Sequence, residues 1–239
     1  LGSMGESVRA ILRDNRGRMR PGDVFMQNAP YNGGTHLPDV TVITPCWDEA
    51  GSEILFFVGS RGHHADIGGR TPGSSPPDSK RIEEEGVVID NWLLVDQGVF
   101  RERQTRELLL SGPYPCRKVD QNLADLTAQV AANETGLCEL RRMVAHFGLD
   151  TVRAYMAHVQ ENAEESVRRV LAVLRDGSFT YRMDDGSRIR VRITVDHQAR
   201  RAVIDFTGTS AQHPGNRNAP RSVCRAAVLY VFRTLVDTD

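Results

Sequence analysis

The sequence predicts an α+β fold, and three observations predict it. Residues 1–112 carry short β-branched and aromatic runs separated by Gly- and Pro-rich turns, the pattern of an antiparallel sheet. From Asn122 the apolar period becomes helical and holds through two long segments to near Gly177. After Asp184-Asp185-Gly186 the period is two. The expected parts are therefore 1–112, sheet-rich with Gly-rich His/Asp loops; 113–178, a long αα hairpin; and 179–239, a β-hairpin with a helix.

Ser7 to Arg18 places Val8, Ile11 and Leu12 among arginines, which suits a short amphipathic helix lying on a core and ended by Gly17. Pro21-Gly22-Asp23 is a turn, because proline fixes φ and glycine accepts positive φ. Val24-Phe25-Met26 is a short strand, and the β-branched Val40-Thr41-Val42-Ile43-Thr44 is the next. The polar segment Trp47 to Gly51 turns the chain back into Ile54-Leu55-Phe56-Phe57-Val58, which has the length and composition of a buried strand. Thr71 to Lys80 is an irregular Pro/Ser/Gly loop, and an apolar run from Val87 to Val95 follows Glu83-Glu84-Glu85.

Arg101 to Leu110 suits a helix, and Gly112-Pro113-Tyr114-Pro115 breaks the chain at a candidate boundary. Leu123, Leu126, Val130, Leu137, Leu140, Val144 and Phe147 form one helical stripe. Gly148 suits the C′ position and Asp150 the next N-cap. The second stripe runs through Val152, Tyr155, Met156, Val159, Val167 and Leu171, and so short a connection implies an antiparallel αα hairpin. Ile189, Val191, Ile193 and Val195 alternate with Arg188, Arg190, Arg192 and Thr194, a half-exposed strand with a basic face. Ala202 to Phe206 is its partner, Gly215 to Pro220 is an amide-rich loop, and Ser222 to Val236 is a last helix.

At 40% apolar and 26% charged residues, the composition is that of an ordinary soluble globular protein. A formal charge of -1 supplies no field for nucleic acid or an anionic membrane. No run approaches the roughly 20 apolar residues needed to cross a bilayer. Cys46, Cys116, Cys138 and Cys224 are far apart without CxxC spacing, so reduced thiols in a cytoplasmic protein are expected.

The chemistry concentrates in Asn28-Ala29-Pro30-Tyr31-Asn32-Gly33-Gly34-Thr35-His36-Leu37-Pro38-Asp39 and its echo Arg61-Gly62-His63-His64-Ala65-Asp66-Ile67-Gly68-Gly69. Each half sets a histidine and an aspartate beside paired glycines, and imidazole with carboxylate suits a divalent metal. Any one such histidine is more often a hydrogen-bonded structural residue; it is the constellation that points to a mixed N/O site. Adjacent side chains on an extended segment point opposite ways, so one of His63 and His64 faces the metal and the other faces substrate or solvent. Spacing does not choose between them. Asp125, Gln129 and Asn133 share one helix face, either solvated or a polar wall of the site. A carboxylate among Glu83-Glu84-Glu85 can serve as a base, although such a run is ordinarily solvated. Asn216, Asn218 and Arg221 can hold a carboxylate substrate, a neighbouring subunit or simply their own loop. Asp66-Ile67-Gly68-Gly69 resembles a phosphate-binding turn, but no adjacent threonine completes it and no Walker sequence is present.

Gly22-Asp23-Val24-Phe25 followed by Asn28 to Val42 resembles the signature of the hydantoinase B / 5-oxoprolinase family. The resemblance continues in order through Arg61 to Gly69, Thr71-Pro72-Gly73-Ser74, Glu85-Gly86, Asn122 to Asn133, Met183 to Gly186 and Asn216 to Arg221. Leu1 to Glu6 also resembles family sequence, and the helical part is most similar to the 5-oxoprolinase branch. The resemblance implies the B-type portion of an ATP-dependent 5-oxoprolinase, hydrolysing 5-oxo-L-proline to L-glutamate. N-methylhydantoinase, an acetone or acetophenone carboxylase subunit, and a non-catalytic scaffold for the ATPase are the alternatives.

It further implies a hydantoinase A-type ATPase partner, which uses the ATP to phosphorylate the carbonyl oxygen of a lactam, and an oligomeric assembly. In the B-type part it implies a divalent metal, zinc or manganese, with His36, Asp39 and one of His63 and His64 as ligands. His63 is assigned as that ligand, and His64, Asp66 and Glu85 as catalytic groups, with Asp66 either a fourth ligand or an orienting group. Asn28, Asn216, Asn218 and Arg221 are assigned to substrate. Family sequences begin earlier and run beyond Asp239, so the chain is expected to be a truncated middle portion, inactive alone.

Overall fold

The computed structural model describes residues 2–236; Leu1 and Asp237-Thr238-Asp239 lie outside the described residues. The chain divides into two compact units, Leu1–Met143 with Gly215–Ala226, and Val144–Pro214 with Ala227–Asp239.

The first unit is built on a five-stranded antiparallel sheet. Its strands are β1 (Val24–Gln27), β2 (Asp39–Trp47), β3 (Ile54–His63), β4 (Trp92–Asp96) and β5 (Val99–Phe100), in spatial order β3-β2-β1-β4-β5. β1 is buried at all its positions because both faces of the sheet are covered. On one face Val24, Met26, Val40 and Val42 pack with Leu37, Ile67 and Leu94, and with Leu123 and Leu126 of helix α3 (Val119–Phe147). On the other, Phe25 and Ile43 pack with Ile11 of helix α1 (Met4–Asp14). Strand alternation thus supplies two cores from one sheet.

α1 starts at Met4, earlier than the expected Ser7, with Ser3 at the N-cap. It stops before Gly17 because Asn15, the C-cap, leaves helical backbone geometry at φ -114 and ψ 15, with its side-chain amide donating to the Ile11 carbonyl at 2.9 Å. β2 and β3 run beyond the expected Thr44 and Val58, since Pro45 to Trp47 and Gly59 to His63 continue the pairing, with one register shift between Cys46 and Trp47 near the hairpin turn. β4 and β5 make a tight hairpin through Gln97 and Gly98, both at positive φ, and the short helix α2 (Glu102–Leu109) follows as expected. The segment Gly112-Pro113-Tyr114-Pro115 lies within this unit, where the Tyr114 carbonyl accepts from Gly69 N–H at 3.0 Å.

α3 is tied to the sheet by buried amides. Gln129 Nε2 donates to the carbonyls of Val40 (3.0 Å) and Ser60 (3.4 Å). Asn133 Nδ2 donates to the Val42 carbonyl and to Thr44 Oγ1, each at 3.1 Å. Gln129 and Asn133 of the polar row are therefore not solvated, while its third member, Asp125, is half-buried and lines a small cavity with Asp66 and Arg117. The two amides serve the sheet's backbone.

The second unit holds a three-stranded antiparallel sheet, β6 (Gly177–Arg182), β7 (Arg188–Asp196) and β8 (Arg201–Asp205), in that order. Helix α4 (Leu149–Val173) ends before the expected Gly177, because Leu174 is already extended and Gly177 starts β6. Arg168 of α4 donates to the carbonyls of Ala199 (3.2 Å) and Arg200 (3.0 Å), fastening α4 to the β7–β8 turn. Helix α5 (Arg221–Thr234) begins in the first unit.

Gly148 alone, at φ 83 and ψ 147, separates α3 from α4, and Asp150 falls in the first turn of α4 rather than at its cap. Leu123 and Leu126 of α3 enter the core of the sheet, and Phe147, Tyr155 and Val159 are exposed. Periodicity shows which residues share a face, not what covers it. Among the described residues no helix is long and apolar enough to cross a membrane.

Two outcomes follow for the full-length protein. Removing the Gln129 amide (Gln129→Ala) leaves buried carbonyls unpaired and is expected to cost about 2 kcal/mol or more in denaturant unfolding. Burial pushes the Cys116 thiol up to about 12, with the Asp66 charge adding to it. With Cys116 and Cys46 buried and Cys138 exposed, Ellman's reagent is expected to titrate Cys138 in the folded protein and the two buried thiols only after denaturation.

Candidate metal centre

The loop between β1 and β2 is folded by its own amides and glycines. Asn28 Nδ2 donates to the carbonyls of Leu37 (2.8 Å) and Val87 (3.0 Å), and Asn28 Oδ1 accepts from Ile89 N–H at 2.6 Å. Gly33 ends a turn of 3-10 helix over Pro30–Asn32 with φ 87. A Cβ on Gly34 would collide with the carbonyl oxygens of Asn28 and Ala29. The chain then turns within His36-Leu37-Pro38-Asp39, where Asp39 N–H donates to the His36 carbonyl at 2.9 Å. With Leu37 buried as a plug, His36 and Asp39 stand side by side.

Asp39 opens β2, and the β2–β3 register sets it directly opposite His63. His63 Nδ1 lies 2.7 Å from Asp39 Oδ1, and the rings of His36 and His63 are 5.8 Å apart. One ligand-type atom from each of His36, Asp39 and His63 lies within 4.8 Å of the others. Both imidazoles are exposed and the carboxylate half-buried, so the cluster is open on one side. Thr35 Oγ1 donates to Asp39 Oδ2 at 3.1 Å. His36 Nε2 lies 3.3 Å from the Ser74 carbonyl; donation there leaves Nδ1 with its lone pair. Ser74 is fully buried at φ 53, a backbone state that favours glycine, so the carbonyl facing His36 sits in a constrained turn. Thr35 and Ser74 escaped the sequence reading, because neither hydroxyl nor carbonyl stands out among so many loop residues.

The donor set fits a divalent ion of borderline hardness. Two imidazoles and a carboxylate are ligands of zinc and manganese, and an open side leaves room for further oxygen ligands.

His64 points the other way. It is 2% exposed, with Nδ1 3.0 Å from Asn122 Nδ2 and Nε2 3.1 Å from Gln129 Oε1, both on α3. The amide hydrogen at Nδ1 leaves the ring proton on Nε2, and both nitrogens are occupied. Asp66, outside the cluster, accepts from Arg117 Nη1 at 2.6 Å and from Arg117 N–H at 2.8 Å. Glu85 accepts from Ser79 Oγ at 2.6 Å. Asn28 is fully buried in its staple. Asn216 Nδ2 donates to the Pro76 carbonyl at 2.8 Å, steadying the loop of Ser74, and Asn218 Nδ2 donates to the Gly215 carbonyl at 2.9 Å. Arg221 lines a separate cavity. Of the ten residues singled out in the sequence, the structure brings together His36, Asp39 and His63.

A sequence profile described as hydantoinase B/oxoprolinase matches residues 1–239. The chain belongs to the hydantoinase B/oxoprolinase family. It is 42% identical over 266 residues to 5-oxoprolinase 1 of Arabidopsis thaliana and 41% identical over 251 residues to the 5-oxoprolinase of Saccharomyces cerevisiae. Both alignments cover 100% of this chain but only 21% and 19% of those proteins, so the chain spans about a fifth of their length. Among solved structures it is similar to the ATP-dependent caprolactamase from Pseudomonas jessenii, with a TM-score of 0.85 and 26% identity over 98% of this chain and 40% of the other.

For a family member carrying this triad, His36→Ala, Asp39→Ala or His63→Ala in the full-length protein is expected to lower bound metal about tenfold or more. Asp66→Asn, which weakens the contact to Arg117, is expected to leave the metal content unchanged. Elemental analysis after purification without chelator distinguishes the two outcomes.

Proposed function

We propose that this chain is the metal-bearing B-type part of an ATP-dependent enzyme that opens 5-oxo-L-proline to L-glutamate. The observation that carries the reading is the convergence of His36, Asp39 and His63 in a chain similar along its whole length to 5-oxoprolinases. The likeness to a caprolactamase supports a lactam as the substrate class. ATP is used by a hydantoinase A-type component, in the same polypeptide or a separate subunit, and the working assembly is an oligomer. Unpaired thiols at all four cysteines support a reducing, cytoplasmic setting.

An amide carbonyl is a poor electrophile, and phosphorylation at its oxygen by the ATPase component makes its carbon attackable. A zinc or manganese ion, when bound, supplies Lewis acidity and a lowered pKa for an attacking water. His36, Asp39 and His63 hold that ion at the open end of the β2–β3 hairpin. Thr35 keeps one carboxylate oxygen of Asp39 engaged, and the Ser74 carbonyl orients His36. His64 and Asn28 act from behind as structural supports, since each is buried with its polar atoms used. Asp66 and Glu85 act on Arg117 and Ser79, outside the first ring of ligands.

The test is an assay of the full-length protein with its ATPase component. Glutamate formation dependent on 5-oxoproline and ATP is the expected result, and bicarbonate-dependent consumption of a ketone in its place would overturn the substrate assignment. His63→Ala is expected to lower turnover on the order of 10- to 100-fold with assembly intact. Unchanged turnover in that variant would instead make the chain a scaffold.

A further inference from the structure

Away from the triad, the first unit carries a second concentration of charge. Arg9, Arg13 and Arg16 recur at i, i+4 and i+7 along α1 and the turn after it, and so share one side. Arg221 and Arg225 lie one turn apart at the start of α5. All five line one cleft of about 960 Å³, within the size range of small-molecule sites, and none of the triad residues lines it.

The cleft has one carboxylate of its own, Glu6, which accepts from both Arg9 and Arg225. The hydrogen bond from Arg9 holds its carboxyl below the usual carboxylate range, with Arg225 adding to the effect against partial burial. Glu6 therefore shows what the site prefers, an oxyanion between guanidinium groups from two helices. Arg13 is committed to Asp14 at 2.6 Å. Even with Asp14 and the more distant Asp90 counted beside Glu6, the arginines are in excess. The Arg16 and Arg221 side chains are exposed and make no ion pair or hydrogen bond among the described residues. The first turn of α5 adds the positive end of a helix dipole and contains no acidic residue to offset it. Such charges are worth little one at a time at a surface; their convergence in one concavity is what raises the local potential. The rim is not purely polar: Tyr31, 75% exposed, offers a ring face to the organic part of a ligand.

We propose that this cleft binds a small organic oxyanion carrying two or more phosphate or carboxylate groups. Guanidinium forks match either group, and the spread of arginines over two turns of α1 exceeds what one such group can engage. The helices that form the cleft also hold the metal-site loop. Ser7 Oγ of α1 donates to the Gly33 carbonyl at 2.7 Å, and Ser222 Oγ of α5 donates to the Gly34 carbonyl. The site is thus placed against the back of the turn that carries His36.

Calorimetric titration of the full-length protein with pyrophosphate and, separately, with citrate tests this. Saturable binding of at least one probe is expected at near-physiological salt, weakening as salt rises. The double variant Arg16→Ala/Arg221→Ala should lower that affinity about tenfold or more. Arg142→Ala, which removes an exposed α3 arginine paired with Glu139 at 2.9 Å, should leave it unchanged. The tighter of the two probes names the oxyanion, phosphate or carboxylate. Neither probe binding at millimolar concentration, or binding that survives the double substitution, would overturn the proposal. Both substituted side chains are exposed, so an unchanged melting profile is expected and separates lost binding from lost folding.

Discussion

Pairing of Asp39 with His63 across the β2–β3 ladder holds the rest of the centre in place. Directly opposed residues of an antiparallel pair share one face, so this register sets carboxylate and imidazole on the same side of the sheet. The register is set at the far end by the hairpin turn, where Asp48 accepts from Ser52 N–H at 2.7 Å and Glu53 N–H at 3.1 Å. It is held in the middle by the Gln129 and Asn133 amides, which bond particular carbonyls of β2 and β3. A slip of one residue would exchange the faces of every side chain on β3 and bring His64 forward in place of His63. The buried apolar alternation of β2 and the buried amides of α3 both oppose that slip.

The polar residues that fill the family-like motifs divide between two tasks. His36, Asp39 and His63 leave donor atoms toward an open side. Asn28, His64, Gln129 and Asn133 direct theirs to backbone groups, the Thr44 hydroxyl or neighbouring side chains, in places closed to solvent. A buried polar group left unpaired is costly, and a saturated amide is a strong and directional tie. The second set therefore gives the first its rigidity. Arg61 shows the same economy on the α1 face. Its guanidinium donates to Thr41, to Ser7 of α1 and to Ser3 at that helix's N-cap, and burial lowers its pKa while the Asp39 charge acts against that shift.

The glycines serve close approach as much as turning. At Gly34 and Gly68 a Cβ would meet backbone, the carbonyls of Asn28 and Ala29 in one case and the Tyr114–Pro115 segment in the other. Backbone is thereby laid against backbone, within one loop at Gly34 and between segments far apart in sequence at Gly68, which no larger side chain allows. α1 and α5, which hold the Gly33-Gly34 peptides from outside through two serines, also form the arginine cleft.

What the sequence determined by itself is local. The spacing His36-Leu37-Pro38-Asp39 closes within one turn, so the first two candidate ligands are neighbours in any fold that keeps that turn. The strand runs at Val24 and Val40, the helix after Arg101 and the Asp-Gly hairpin at Asp185 likewise depend on residues in mutual contact along the chain. The choice between His63 and His64 did not, although their opposed directions were legible. It needed the pairing partner of β3 and the arrival of Asn122 and Gln129 from α3, dozens of residues away. The same holds for Asn28, whose bonds to Val87 and Ile89 reveal a staple where the sequence suggested a substrate contact, and for Asp66, whose partner Arg117 lies far along the chain. The α3 leucine stripe was visible as a stripe, and only the tertiary structure showed the sheet burying it. Period and spacing record the geometry of a segment with itself. Burial, register and the partner of a polar atom depend on which segments meet, and that is decided by packing among residues the local pattern does not contain.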